Sequence, residues 1–464
     1  MTRLVAVSNR VAQPMRGKSS GGLAVGVWSA LQRHGGIWFG WSGTTCETEP
    51  RDPVVSEAGK VSFATIDLNA TDFELYYNGF SNDSLWPLFH FMLGFFKFSR
   101  DQFRAYCRVN EYFARKLYPL LTNDDVIWVH DYHLIPLGEE LRRAGVTVPI
   151  GFFLHVPFPS FDIMRSLPCY ESILRALCLY DLIGFQTRRD LWAFHDCVRQ
   201  PEFGGEVLPD GRVSAFGRTF RAEVFPIGID VDDCATLAGK YTRHSRVRRL
   251  ARSVGDRQLI IGVDRLDYSK GLELRFRAFE KLLANYPNTR GTVSFLQIAP
   301  PTRAGVRTYS DIRAELEQVA SNVNGRYADI DWVPIRYLNK GYDRRVLMSL
   351  YRLASVGLVT PIRDGMNLVA KEYVASQDPE DPGALVLSTL AGASQELSAA
   401  VLINPYDRSG VADGIQTALE MPLAERQERY EDMIKVLRRN DIHAWSERFI
   451  AALTDARHAG AGAI

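Results

Sequence analysis

Short apolar runs recur along the chain and stop abruptly at polar residues, glycine or proline. The clearest occupy residues 4–7, 126–129, 150–154, 182–185, 224–227, 259–263, 293–298, 356–359 and 384–387. They are aliphatic or β-branched and too short for buried helices, so they predict buried strands. Stretches with helical spacing follow them. Apolar strands alternating with helices predict parallel sheets covered on both faces, an α/β chain. Ligands of such sheets bind beyond the carboxyl ends of the strands, so the polar residues after each run are the candidate chemistry. A polar, basic stretch from Lys240 to Arg249 and a new strand at 259 place a break between 229 and 257. Its charge run reads as a solvated helix face or linker. Two α/β halves of similar length would enclose a cleft.

The run 4–7 delivers Arg10 to a sheet edge, ahead of Lys18, Ser19, Ser20 and the pair Gly21-Gly22 before Leu23. Paired glycines opening a helix let backbone N–H groups approach a phosphate. The stretch matches neither a Walker A loop nor a dinucleotide fingerprint, and a plain turn accounts for it equally. Arg10 alone equally suits a surface ion pair. Tyr76-Tyr77-Asn78-Gly79-Phe80-Ser81-Asn82, ahead of Leu85-Trp86-Pro87, joins aromatic faces to amides and suits a sugar; taken alone it reads as a well-packed aromatic loop.

His130-Asp131-Tyr132-His133 follows the run at 126–129. His130 and His133 are three apart, but no further His/Cys cluster completes a coordination sphere, so no metal site is predicted. Asp131 is instead an acceptor for hydroxyls at the sheet edge. His155 follows the next run, where a ligand role competes with that of a satisfied structural histidine. Asp264-Arg265-Leu266-Asp267-Tyr268-Ser269-Lys270-Gly271 follows 259–263. Two fixed cations, Arg265 and Lys270, near a glycine and a helix start suit a diphosphate. Arg303 is a further cation beyond 293–298. The segment from Arg363 through Asp364, Gly365, Met366 and Asn367 to Leu368, Val369, Ala370, Lys371 and Glu372 follows 356–359. Its small and amide residues can present N–H groups, and Glu372 can take the two hydroxyls of a ribose or stand as a helix-face charge. Asp230-Val231-Asp232-Asp233 and Asp329-Ile330-Asp331 look like D-x-D metal motifs but read as helix starts or turns. No G-x-S-x-G occurs, which disfavours an α/β-hydrolase.

Charge narrows the partners. Lys plus Arg is 55 and Asp plus Glu is 54, a net charge of +1, which excludes bulk binding of nucleic acid. With 46% hydrophobic and 23% charged residues the chain is globular rather than disordered. Its length exceeds what one core usually spans, so two domains are expected. Cys46, Cys107, Cys169, Cys178, Cys197 and Cys234 form no C-x-x-C pair and read as reduced thiols of a cytoplasmic protein. The apolar run in residues 1–10 is too short for a secretory signal, so none is expected, and the longest apolar stretches elsewhere are broken by charges or proline before membrane-spanning length. The Ala- and Gly-rich tail beyond Ala456 is expected to fray.

These motifs together resemble the trehalose-6-phosphate synthases (UDP-forming), retaining glycosyltransferases of the GT-B type. The resemblance runs from Ser8-Asn9-Arg10 to about Trp445. Besides the runs already named, Trp38-Phe39-Gly40-Trp41 and Gly184-Phe185-Gln186-Thr187 belong to it. It implies two Rossmann-like, doubly wound parallel-sheet domains facing a deep cleft. Residues 1–230 would form an acceptor-binding domain, with a C-terminal helix at about 441–464 packing back on it. Residues 231–440 would bind the nucleotide sugar. The implied reaction moves glucose from UDP-glucose to glucose 6-phosphate, giving α,α-trehalose 6-phosphate and UDP, in trehalose biosynthesis and osmotic stress.

The resemblance also assigns residues. Arg10, Tyr77, Asp131 and Arg303 would bind the acceptor. Gly21, Gly22, Leu23, Arg265, Lys270, Tyr342, Asp364, Leu368, Val369, Ala370, Lys371 and Glu372 would bind the donor, Tyr342 near the base. Asp131, His155, Arg265, Lys270 and Asp364 would carry catalysis, with His155 and Asp364 near the glucosyl ring. Trp86 and Val156 match positions linked to the acceptor's α anomer. The glycine pair sits one residue earlier relative to Arg10 than in relatives, which leaves open which N–H meets the phosphate. No cofactor and no obligatory metal are implied, and no nucleic acid or membrane partner; a homo-oligomer is allowed.

Charge grows on the departing diphosphate, where Arg265, Lys270 and backbone N–H groups can stabilise it. A double displacement would need a carboxylate nucleophile. The sequence identifies none, and the family is described as reacting on one face, the departing oxygen helping to deprotonate the acceptor. Asp131 and His155 are accordingly expected to position sugars rather than bond to them. The expectation includes domain closure on donor binding. Two rivals remain: a sister enzyme with another acceptor, such as glycerol 3-phosphate, or with an ADP- or GDP-glucose donor; and a catalytically dead scaffold, against which the complete set of phosphate-binding groups speaks.

Overall fold

The computed structural model describes residues 3–11, 22–47, 52–302 and 307–460. They divide into two compact units. One holds the described residues up to Ile227 together with those from Ile442 onward; the other is Gly228–Asp441.

The first unit is built on a ten-stranded sheet. Its strands are β1 (Arg3–Arg10), β2 (Gly36–Cys46), β3 (Val54–Ala58), β4 (Val61–Asn69), β5 (Asp125–His130), β6 (Ile150–Phe153), β7 (Leu182–Phe185), β8 (Glu206–Val207), β9 (Val213–Ala215) and β10 (Arg218–Val224). Their order is β3-β4-β2-β1-β5-β6-β7-β10-β9-β8. The seven strands from β4 to β10 pair in parallel, and only β3, β8 and β9 add antiparallel edges. Strands β5, β6 and β7 are buried along their whole length, as continuous apolar runs covered on both faces must be. The helix Ile442–Gly460 lies on this sheet, with Trp445 4.8 Å from the Trp128 ring and Phe449 stacked on Trp128 at 4.7 Å. That helix continues past Ala456, where fraying was expected; alanine-rich sequence favours helix once a neighbouring turn is anchored.

The second unit has six strands, β11 (Gln258–Val263), β12 (Val293–Ile298), β13 (Ile335–Leu338), β14 (Val356–Val359), β15 (Ala384–Ser388) and β16 (Val401–Ile403). Their order is β13-β12-β11-β14-β15-β16, all parallel. Numbered from its own first strand this is 3-2-1-4-5-6, the doubly wound nucleotide-binding order. Its core joins Ile260, Phe276, Phe279, Phe295, Leu358 and Val386, all unexposed.

Two local expectations change. The strand expected at 224–227 ends at Val224, because it begins earlier, in the alternating segment from Arg218, and Pro226 has no N–H to continue a ladder. The aromatic loop after Phe73 is a wide helical segment, Glu74–Leu85, with π-type turns. The cysteines form no disulfide, and Cys178, Cys197 and Cys234 are buried. Asp230 caps the helix Val231–Lys240 by accepting the N–H of Asp233, so that acidic spot is a helix start.

Candidate functional site

Each sheet has one place where its winding reverses. In the first unit the chain runs from β1 outward through β2 and β4, then returns to the other side of β1 with β5. In the second it runs from β11 through β12 and β13, then returns with β14. The loops after the two central strands leave in opposite directions, which opens a crevice at their carboxyl ends.

At the first reversal, Arg10 ends β1 and is exposed, its guanidinium 5.6 Å from the Trp41 ring. Gly43 makes room for it: φ is +95°, and a Cβ there would lie 2.6 Å from an Arg10 nitrogen. Asp131 follows β5 with φ 76° and ψ 163°, a conformation nearly confined to glycine. Its N–H donates to the Phe153 carbonyl at 2.8 Å, and its Oδ1 accepts the His155 N–H at 3.2 Å. The strain is therefore held by the ends of two neighbouring strands, which aim the Asp131 carboxylate. Tyr77 is stacked between Phe73 (5.2 Å) and His133 (5.6 Å). The Asn82 amide fixes that turn, donating to the Tyr77 carbonyl at 2.6 Å and accepting from the Tyr132 hydroxyl at 3.0 Å. His155 follows β6, and its Nε2 lies 3.2 Å from His130 Nδ1. Burial holds both rings neutral. His130 is well below the usual histidine range, and His155 falls to about 3. Trp86 and Val156 are buried nearby in sequence and fold, Trp86 lying 5.8 Å from the Tyr132 ring.

The second reversal is ionic. Arg265 is exposed just beyond β11. Lys270 closes a short turn whose start, Asp267, accepts from the backbone and hydroxyl of Ser269. Gly271 then takes the left-handed conformation (φ 62°) that lets the helix Leu272–Asn285 begin. Lys270 Nζ meets Asp364 Oδ2, beyond β14, at 2.5 Å. Asn367 donates to the same oxygen at 3.0 Å and accepts the Ala370 N–H at 3.1 Å. It thus caps the helix Leu368–Ser376 while itself left-handed (φ 85°). By helix geometry the N–H groups of Leu368 and Val369 have no intrahelical acceptor, so this end attracts an anion. Underneath lies Arg275, with 1% exposure, which donates to Asp264 (2.7 Å), Gln297 (2.9 Å) and Thr360 (2.8 Å). Burial raises the Asp264 carboxyl, and Arg275 opposes that rise.

Other positions resolve less simply. Glu372 lies 3.8 Å from Arg344, and burial raises its carboxyl. The Lys371 ammonium is fully buried against Glu396 at 2.5 Å, so position 371 offers a neighbouring ligand its backbone rather than its charge. Tyr342, beyond β13, lies between Arg246 (5.7 Å) and Lys340 (5.6 Å). Arg303, Lys18, Ser19, Ser20 and Gly21 lie outside the described residues. Gly22 opens the helix Gly22–His34, which also contains Leu23. Among the described residues no group of three or more His, Cys, Asp or Glu could hold a metal ion.

Comparison with known proteins decides the family. The model of glycosyltransferase family 20 matches residues 6–455. The chain belongs to glycosyltransferase family 20. It is 49% identical to a trehalose-6-phosphate synthase of Cronobacter sakazakii over 98% of this chain and 95% of that relative. A UDP-forming α,α-trehalose-phosphate synthase from Burkholderia xenovorans, solved in complex with glucose-6-phosphate, superposes with a TM-score of 0.94 at 52% identity, covering 97% of this chain and 100% of the other. A trehalose-6-phosphate structure from E. coli bound with UDP-2-fluoro glucose superposes at 0.93 with 47% identity, over 97% and 99%. The fold of this family-20 chain, two parallel-sheet α/β domains, is the GT-B class that the motifs implied.

In this family-20 chain, sequence reasoning left four supporting residues without a role: Arg275, Gly43, His130 and Glu396. Arg275 had a visible signal, a cation at helical spacing among Leu272, Phe276 and Phe279. The others act on partners far away in sequence and carry no local sign.

Proposed function

We propose that this chain transfers glucose from UDP-glucose to glucose 6-phosphate with retention, releasing UDP and α,α-trehalose 6-phosphate. What carries the reading is the joint placement of Arg265, Lys270 and the start of the helix Leu368–Ser376 around the second winding reversal. Two cations and a helix N-terminus there match a diphosphate leaving group, whose charge grows as the anomeric bond breaks. Residues of the Gly228–Asp441 unit then hold the donor. Arg265 and Lys270 take the diphosphate with the N–H groups at 368 and 369, Glu372 takes the ribose, and Tyr342 packs near the base. Gly22 and Leu23 add donor contacts. Arg10, Tyr77, Asp131 and Arg303 hold glucose 6-phosphate, with Trp86 and Val156 selecting its α anomer.

Asp131, His155 and Asp364 position the sugars. A neutral His155 can exchange a hydrogen bond with a sugar hydroxyl but brings no charge, and Asp131 is already tied to the His155 backbone. The departing oxygen takes the acceptor proton on the same face. No step requires a metal.

A nucleotide-release assay over UDP-, ADP- and GDP-glucose against glucose 6-phosphate, glycerol 3-phosphate and glucose tests the reading. UDP-glucose with glucose 6-phosphate is expected to exceed every other pair at least tenfold. Equal or faster turnover with glycerol 3-phosphate would overturn the acceptor assignment.

A further inference from the structure

His130 is fully buried, carries two ring nitrogens, and has no part in the chemistry above. It nonetheless makes one directed contact: its Nδ1 lies 3.2 Å from Nε2 of His155. No charge is available to strengthen this contact, since burial leaves both rings neutral. Two neutral imidazoles can share only one proton across it. The ring that donates it fixes the tautomer of both.

The surroundings of His130 choose between the two arrangements. Its Nε2 is buried without a hydrogen-bond partner among the described residues. The centroid of the His130 ring lies 4.5 Å from that of Trp128 and 6.4 Å from that of Trp445, so its surroundings are aromatic. An N–H directed at an aromatic face is weakly favourable, whereas a bare lone pair against π density is not. The proton therefore belongs on His130 Nε2. Its Nδ1 is then the acceptor, His155 carries its hydrogen on Nε2, and the Nδ1 of His155 is left bare.

We infer that His130 is a positioning residue for the transfer reaction. It holds the His155 ring in one orientation and one tautomer, so that His155 offers the substrate a hydrogen-bond acceptor at Nδ1 and never a donor. The inference rests on the reading that His155 contacts a sugar hydroxyl. A hydroxyl presented to that acceptor is oriented by donating its own hydrogen, and so its lone pairs face away from His155. The covalent frame supports the role. His130 ends β5, His155 follows β6, and these strands pair in parallel from Ile127–Ile150 to His130–Phe153, so the two rings project from adjacent strand ends. The Asp131 side chain holds the His155 backbone, while His130 holds its ring.

The test uses the full chain and kcat/KM for UDP-glucose at saturating glucose 6-phosphate. His130→Phe keeps an aromatic ring but removes the acceptor, and is expected to lower kcat/KM at least tenfold. His130→Asn puts an amide oxygen near the Nδ1 position and is expected to stay within threefold of wild type. In a His155→Ala background His130→Phe is expected to cost less than a further twofold, because its effect runs through His155. Equal losses in His130→Phe and His130→Asn would overturn the inference. So would an undiminished His130→Phe loss in the His155→Ala background, or wild-type activity in His130→Phe. If His130→Phe does not fold, ¹⁵N spectra of the wild-type histidines decide: a His155 ring protonated on Nδ1 overturns the inference, and protonation on Nε2 supports it. Wild-type activity in His155→Ala would instead sink the reading of His155 itself.

Discussion

The two winding reversals solve similar geometric problems with different chemistry. The site beyond β11 and β14 is ionic: Lys270 is paired with Asp364, and Arg275 with Asp264 beneath them. The site beyond β1, β5 and β6 leans on rings and neutral groups, with Tyr77 stacked between Phe73 and His133 and two histidines held uncharged. A diphosphate brings charge that must be met by fixed cations, and fixed cations in turn need carboxylates while the ligand is away. A sugar brings hydroxyls and apolar ring faces, which rings and single acceptors recognise. The difference teaches that net charge says little about local charge: a chain at +1 sets paired ions at the second reversal, while the first holds Arg10 and Asp131 among rings and neutral groups.

The contrast is exposed to test, first in stability. Arg275→Met strands Asp264 in the core below the ionic site, and should cost about 3–5 kcal/mol. Urea unfolding followed by hydrogen exchange would place the loss in the Gly228–Asp441 unit; a change under about 1 kcal/mol would mean the ion pair is dispensable. Catalysis comes next. Arg265→Ala should lower kcat/KM about 10²-fold, or about 2.7 kcal/mol, by removing one charge-stabilising donor. Near-wild-type UDP release would break the ionic account of that site.

Acid separates the two units. The folded pKa of His155 is depressed to about 3 and that of His130 lies well below its usual value, so the unfolded chain takes up protons first. Stability of the ring-based unit should therefore be complete above about pH 6.5 and fall as pH drops below it. The slope is about 1.4 kcal/mol per pH unit for each histidine. Hydrogen exchange at pH 7 and pH 5 that showed both units weakening equally would contradict this. The smallest effect concerns the helix cap. Asn367→Ala loses the bond to Ala370 and keeps a left-handed φ, costing about 1–2 kcal/mol; Asn367→Gly should cost only a few tenths. Equal melting temperatures for the two variants would show that the left-handed backbone at 367 carries no penalty for a side chain.

Much of the fold was legible. Strands buried on both faces, such as β5, β6, β7 and β14, are continuous apolar runs, and they stand out without any neighbour. Edge and half-exposed strands did not stand out. β3 is exposed throughout, and β10 alternates polar and apolar residues, so neither produces a run. Within the candidate sites, Arg10, Asp131, His155, Arg265, Lys270 and Asp364 were visible because each follows a strand. Their supports were not. The Tyr132 hydroxyl that reaches Asn82, the His130 ring beside His155 and the Glu396 partner of Lys371 work through contacts between residues that the chain separates widely.

Sequence alone determined which residues stand at strand ends, because burial on two faces demands apolar runs and the polar groups must lie where those runs stop. It determined that Gly271 could be left-handed at little cost. The tertiary structure decided which strand ends become neighbours. β1 lies beside β5 although more than a hundred residues separate them, and β11 lies beside β14 across nearly as many. The β11–β14 pairing brings Asp364 to Lys270, and the β5–β6 pairing brings His130 to His155 and over-determines the backbone of Asp131 enough to hold a conformation that side chains avoid. Hydrophobic periodicity is local in the chain, whereas hydrogen bonds, ion pairs and strain depend on distances that folding alone sets.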